Sequence, residues 1–212
     1  MEFLFDGEAD APATVLLAHG AGAPMDTPFM DGVAGGLAAA GLRVARFEFA
    51  YMAARRRGGA KRPPPRAERL CDEYRAAVAA LGAGGPLVIG GKSMGGRVAS
   101  LVADDLHGAG RVAGLLCLGY PFHPPGKPER LRTAHLEAIE TPTLICQGTR
   151  DPFGRREEVE TYALSPRVSL LWLEDGDHDL KPRKGVTGAA QDDHLAAAAA
   201  GAADWIARVV AG

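Results

Sequence analysis

The chain has 212 residues, 47% of them hydrophobic, and 24 lysines and arginines stand against 26 aspartates and glutamates for a formal charge of -2. That length supplies the core of one α/β domain spanning residues 1–212, and the near-neutral balance offers no global attraction for nucleic acid or an anionic membrane. Cys71, Cys117 and Cys146 form no C-x-x-C pair, the segment from Met1 to Asp6 lacks the regions of a signal peptide, and no apolar run would span a bilayer, so a soluble cytoplasmic protein is expected.

Thr14 to Ala18 is an apolar strand candidate that ends in His19-Gly-Ala-Gly-Ala-Pro24, where glycine and proline open a loop. Met30, Val33, Ala34 and Leu37 recur at helical spacing, Gly41 closes that helix, and Arg43 to Phe47 is the next strand. A strand, helix and strand in this order favour a parallel sheet. The stretch from Ala50 to Arg69, rich in arginine, glycine and proline, is expected to be a loop. A helix with Leu70, Tyr74, Val78 and Leu81 on one face follows, and then the strand Leu87-Val-Ile-Gly90.

After Gly90 the pattern changes to Gly91-Lys-Ser-Met-Gly95 and then to a helical stripe of Val98, Leu101, Val102 and Leu106. This is the order G-x-S-x-G between strand and helix, in which a sharp turn lifts a serine hydroxyl out of the backbone. A phosphate-binding loop ending in Gly-Lys-Ser would need a glycine at position 86, which is Pro86. The bland alternative is a tight turn with Ser93 capping the helix.

Further strands are expected at Val112–Leu118, Thr143–Gln147 and Val168–Leu173, with a rigid loop from Gly119 to Gly126, a short helix from Leu131 to Ile139 and another near Arg155 to Ala163. The last helix begins after Asp192 and Asp193 and continues through an alanine run to Val210. The product is a mostly parallel central sheet flanked by helices, an α/β fold whose informative loops follow strand ends.

A serine hydroxyl needs a histidine to take its proton and a carboxylate to orient that histidine. Asp151 and His178 each lie just past a strand end, in the chain order Ser, Asp, His expected for this turn. Among six histidines, His107, His135 and His194 follow no strand, His19 precedes the serine, and His123 lies on a loop that could line a pocket. Asp175, Asp177 and Asp179 rival Asp151, and all four aspartates could be simple turn formers. The N–H groups of Met94 and Ala21, with Gly22 as the alternative, are candidates for an oxyanion hole. Arg55 to Arg62 and Lys181 to Lys184 are basic segments that could favour acidic substrates, making Arg55 and Lys181 possible substrate contacts beside Gly22 and the loop residue His123. The competing reading of both is solvated loop charge.

His19-Gly20, Gly91-Lys-Ser-Met-Gly95, Gly148-Thr-Arg-Asp151 and Asp177-His178 together resemble the landmarks of the α/β-hydrolase superfamily. With no long insertion after the 112–118 strand to make a lid, the chain resembles dienelactone-hydrolase-like proteins, although Ser93 stands where true dienelactone hydrolases carry cysteine. Arg46-Phe-Glu-Phe-Ala-Tyr-Met52 and Gly119-Tyr-Pro-Phe-His-Pro124 look closer still to small predicted hydrolases related to the hydrolase-like domain of a nonspecific-lethal complex subunit and to a testis-expressed relative. The resemblance implies a serine esterase with a small ester-like substrate, no metal and no cofactor, and leaves the oligomeric state open. A non-catalytic binding or scaffold module on the same fold is the alternative.

Overall fold

The computed structural model describes residues 1–60 and 63–211, so Lys61 and Arg62 of the first basic segment lie outside it. Seven strands make one sheet: β1 (Phe3–Asp6), β2 (Thr14–Ala18), β3 (Arg43–Phe47), β4 (Leu87–Lys92), β5 (Gly114–Leu118), β6 (Thr143–Gly148) and β7 (Val168–Leu173). Their spatial order is β1-β3-β2-β4-β5-β6-β7, parallel throughout except for β1, which runs antiparallel to β3.

The inner strands are buried on both faces, which explains why they read as apolar runs and not as alternation. On one face Leu16, Ala18, Ile89 and Cys117 pack against α3 (Cys71–Leu81) and α4 (Met94–Gly108). On the other, Val15, Leu17, Val88 and Leu116 pack against α1 (Pro28–Ala39) and the terminal helix, α7 (Gln191–Ala211). The alanine run has a packing reason here, since a Cβ on Gly36 of α1 would meet the Ala199 Cβ of α7 at 2.6 Å. Small residues on both helices let their backbones approach. Among the described residues no helix is long and apolar enough to cross a membrane.

Three expectations are corrected. Residues Ala50–Arg56 form α2, not a loop: the segment is rich in helix formers, and its first N–H is capped from outside, Ala50 N–H donating to Glu73 at 2.7 Å. Leu131 to Ile139 forms turns and no helix, because its backbone groups are used across the fold, Arg132 N–H on Phe122 O and Ser165 N–H on Leu136 O. The helix near Arg155 is the single turn α5 (Arg156–Val159), and a further short helix, α6 (Lys184–Thr187), precedes α7. Strand β1 was not anticipated; Arg46 of β3, only 3% exposed, binds both Asp6 of β1 and Asp31 of α1 and ties the edge to the body.

Under the middle of β4, the fully buried Tyr74 hydroxyl accepts from Gly90 N–H at 2.9 Å and donates to the Gly90 carbonyl at 2.7 Å. Tyr74→Phe strands a buried backbone N–H, a loss of about 1–3 kcal/mol. Urea unfolding should therefore show a lower midpoint with an unchanged m-value, and an unshifted midpoint would mean that the hydroxyl carries no such role.

Candidate active site

Ser93 occupies the turn between β4 and α4 with φ 51° and ψ -113°, a conformation that costs a non-glycine residue about 1–3 kcal/mol. Sterics force the flanking glycines. A Cβ on Gly91 or Gly95 would collide with the Ala18 carbonyl at the end of β2, so the turn closes only where side chains are missing. Ser93 N–H donates to Leu118 O of β5 at 2.9 Å, fixing the turn from the other side.

Two loops meet this serine. From the end of β7, His178 places Nε2 2.8 Å from Ser93 Oγ. From the end of β6, the fully buried Asp151 places Oδ2 2.8 Å from His178 Nδ1. A carboxylate only accepts, so Nδ1 carries the proton and Nε2 is free to accept the serine O–H. Gln147 donates to the same Asp151 oxygen at 2.9 Å, and Phe153 N–H donates to the other at 2.8 Å. The Phe153 ring stacks on His178 with centroids 4.1 Å apart.

The rival aspartates are occupied elsewhere. Asp175 pairs with Arg183, which holds its carboxyl down at about 2. Asp177 accepts from the N–H groups of Asp179 and Lys181, and Asp179 lies 3.2 Å from Lys92 Nζ. Lys92 was weighed only as part of a phosphate loop, yet it is buried, donates to the carbonyl of His178, and lies 4.9 Å from the centre of the Phe29 ring. Burial pulls its ammonium below the usual lysine range, an effect that Asp179 opposes. Its position inside the turn motif, immediately before Ser93, gives no sign that it holds the loop bearing His178.

The 19–24 loop is braced too. Buried His19 accepts Phe49 N–H at Nε2, so its Nδ1–H donates to Gly20 O, and burial lowers its pKa and keeps it neutral. Tyr51 donates to the Ala21 carbonyl and Arg55 to that of Gly22. These bonds use the carbonyls of Ala21 and Gly22 and hold the segment beside Ser93.

Two clefts open at the serine. One, about 500 Å³, is lined by Gly22, Phe29, Lys92, His178 and Gln191; the other, about 550 Å³, by Met94, Arg97, Arg132 and Pro121. Ala21, Ser93 and Phe153 border both. Of the other expected contacts, Arg55 lines a neighbouring groove with Pro24 and Met52, His123 is buried between Pro124 O and Glu158, and Lys181 borders neither cleft. Among the described residues no three His, Cys, Asp or Glu side chains gather as a metal site. Burial pushes the Cys146 thiol up to about 12 and keeps it inert.

A second serine and histidine touch, Ser100 Oγ and His135 Nε2 at 2.8 Å. Ser100 is buried and borders neither cleft, and no carboxylate hydrogen-bonds to that histidine among the described residues, so this pair is a brace.

A parallel sheet that presents a serine on a strained strand-to-helix turn, met by a histidine and an aspartate from later loops, defines an α/β-hydrolase fold. The chain belongs to the alpha/beta hydrolase domain family, which its residues 11–207 match. Among solved structures it is similar to an α/β serine hydrolase without a lid from Xanthomonas campestris (20% identity, 96% of this chain and 88% of that one, TM-score 0.67) and to a dienelactone hydrolase from Anabaena variabilis (20%, 97% and 90%, TM-score 0.70). It is also similar to Est1E of Butyrivibrio proteoclasticus with ferulic acid bound (13%, 100% and 96%, TM-score 0.67).

Burial and the charge of Arg97 hold His135 at about 4, and His19 is lowered as well. Below pH 6.5 the unfolded chain therefore takes up protons that the native state refuses, and stability falls as the pH drops toward 4. Urea midpoints at pH 7 and pH 5 should differ more for the natural protein than for His135→Gln; equal differences would remove His135 from this linkage.

Proposed function

We infer that the chain is a serine hydrolase that cleaves carboxylic esters or related acyl bonds of small, accessible substrates. The observation that carries this reading is the unbroken relay of two 2.8 Å contacts from Ser93 Oγ through His178 to Asp151. Names among the structural neighbours, a serine hydrolase, a dienelactone hydrolase and an esterase domain, agree with it.

In the reaction Ser93 Oγ attacks the carbonyl carbon while its proton passes to His178 Nε2. The carbonyl oxygen becomes an oxyanion, bound by the N–H groups of Met94 and Ala21. Asp151 keeps the imidazole in the tautomer with Nδ1–H and stabilises the imidazolium. His178 then hands the proton to the leaving oxygen, the carbon–oxygen bond breaks, and an acyl-serine is left. Water attacks that ester with His178 as base, and the acid departs. Side chains, two backbone N–H groups and water supply every group in these steps. The open approach to Ser93 suits small or exposed esters.

Ser93 and Asp151 each make a different prediction. A fluorophosphonate probe should label Ser93, located by mass spectrometry, and labelling should vanish in Ser93→Ala. Asp151→Asn should keep the fold and lower kcat by roughly 10⁴-fold through the wrong histidine tautomer. Well-folded protein that resists the probe would sink the hydrolase reading in favour of a binding module.

A further inference from the structure

Three arginines converge on the second cleft, which borders Ser93 and Met94: Arg66 at its rim and Arg97 and Arg132 deeper. Only one carboxylate, that of Glu68, lines the same space. It binds Arg97 Nη2 at 2.5 Å and is itself 57% exposed. The buried Arg97 Nε has no partner, and among the described residues no carboxylate pairs with Arg132. Buried guanidinium groups are normally paired, because desolvating an unpaired charge is costly.

The fold holds these arginines in place with a polar network below them. Ser100 Oγ donates to the Arg97 carbonyl at 2.7 Å, and Tyr120 OH donates to the Arg132 carbonyl at 3.2 Å. His135 Nε2 touches both hydroxyls, at 2.8 and 3.4 Å. With both hydroxyl protons committed to carbonyls, His135 serves as the Nε2–H donor and stays neutral beside the two cations. Burial and the neighbouring Arg97 also pull Arg132 below the usual guanidinium range.

The two clefts divide a bound ester. His178 lines the first cleft and not the second, and the leaving oxygen must lie against His178 Nε2 to receive its proton. The leaving group therefore occupies the first cleft. The acyl chain is left to the second, on the Met94 side. Lys92, the cation of the first cleft, is turned to the His178 carbonyl and Asp179.

We propose that Arg97 and Arg132 form an anion subsite for the acyl half, so that the preferred substrates are monoesters of dicarboxylic acids. This rests on the hydrolase reading above. The ester carbon bonds to Ser93 Oγ, the leaving alcohol takes the serine's proton through His178, and water releases the dicarboxylate. The distal carboxylate takes no part in bond making; it binds the guanidinium fork and aligns the carbonyl.

The test compares kcat/KM for the 4-nitrophenyl monoester of adipic acid with that for 4-nitrophenyl hexanoate, chains of equal length that differ in one terminal carboxylate. The natural protein should prefer the adipate ester by at least tenfold, which corresponds to about 1.4 kcal/mol. Arg132→Gln and Arg97→Gln should each bring the ratio toward unity. Arg111→Gln removes the same charge from an exposed site beside Pro86 and Leu87, before the start of β5, and should leave the ratio unchanged. Equal rates on the two esters, or a preference that survives both cleft substitutions, would overturn the subsite while fluorophosphonate labelling of Ser93 upholds the hydrolase. Absence of both labelling and turnover would overturn the two together.

Discussion

The close approach of the serine turn to the end of β2 is the contact on which the rest of the site depends. Gly91 and Gly95 lie against the Ala18 carbonyl with no room for a Cβ, and this fixes Ser93 in its strained conformation one strand away from the 19–24 loop. The same contact makes Ala21 and Met94 neighbours of one hydroxyl. A methyl group at either glycine would push the turn from β2 and separate nucleophile from loop together. The strain is tolerated because β4 is hydrogen-bonded on both sides and its far face is held by Tyr74.

The histidine poses a different problem, since its loop leaves β7, three strands away from β4. At about 4.8 Å per strand that is roughly 14 Å of sheet edge to cross. The loop recrosses the end of β6, where Gly148 packs directly on Gly176, and it is anchored at the far side by the Lys92 ammonium on the His178 carbonyl. Lysine is suited to this task because its long stem carries the ammonium over the Phe29 ring and on to the backbone. The residue before the nucleophile thus positions the base that serves it.

Much of this was legible in the sequence, for a physical reason. Strands buried on both faces are short apolar runs, and Ser93 and Asp151 each follow one of them while His178 follows the half-buried apolar run of β7, so order and spacing pointed to one end of the sheet. What stayed hidden depends on partners far along the chain. Ala50 begins a helix because Glu73 caps it; residues 131–139 fail to form one because Phe122 and Ser165 use their backbone groups. Gln147 and Phe153 lie within six residues of Asp151, yet their letters say nothing of an amide on a carboxylate or a ring stacked on His178. The basic segments were visible as charge runs, but a run reports composition and not direction. The arginines that reach the serine, Arg97 and Arg132, are scattered singly.

The contrast between those runs and the scattered arginines reflects how a fold handles charge. Arg56 in the first run is closed by Asp26 and Glu48, and Arg183 in the second by Asp175. Arg46, the most buried arginine among the described residues, has two carboxylates. Against that practice one exposed glutamate pairs with Arg97 and none with Arg132 among the described residues, while Ser100 and Tyr120, both touched by a neutral His135, bind the arginine carbonyls from beneath. Those bonds fix the backbone and leave the two guanidinium groups with a single carboxylate between them. A structure that pairs its other buried cations, yet orders these two beside its nucleophile without a full counter-charge, has a place for an anion that arrives with the substrate.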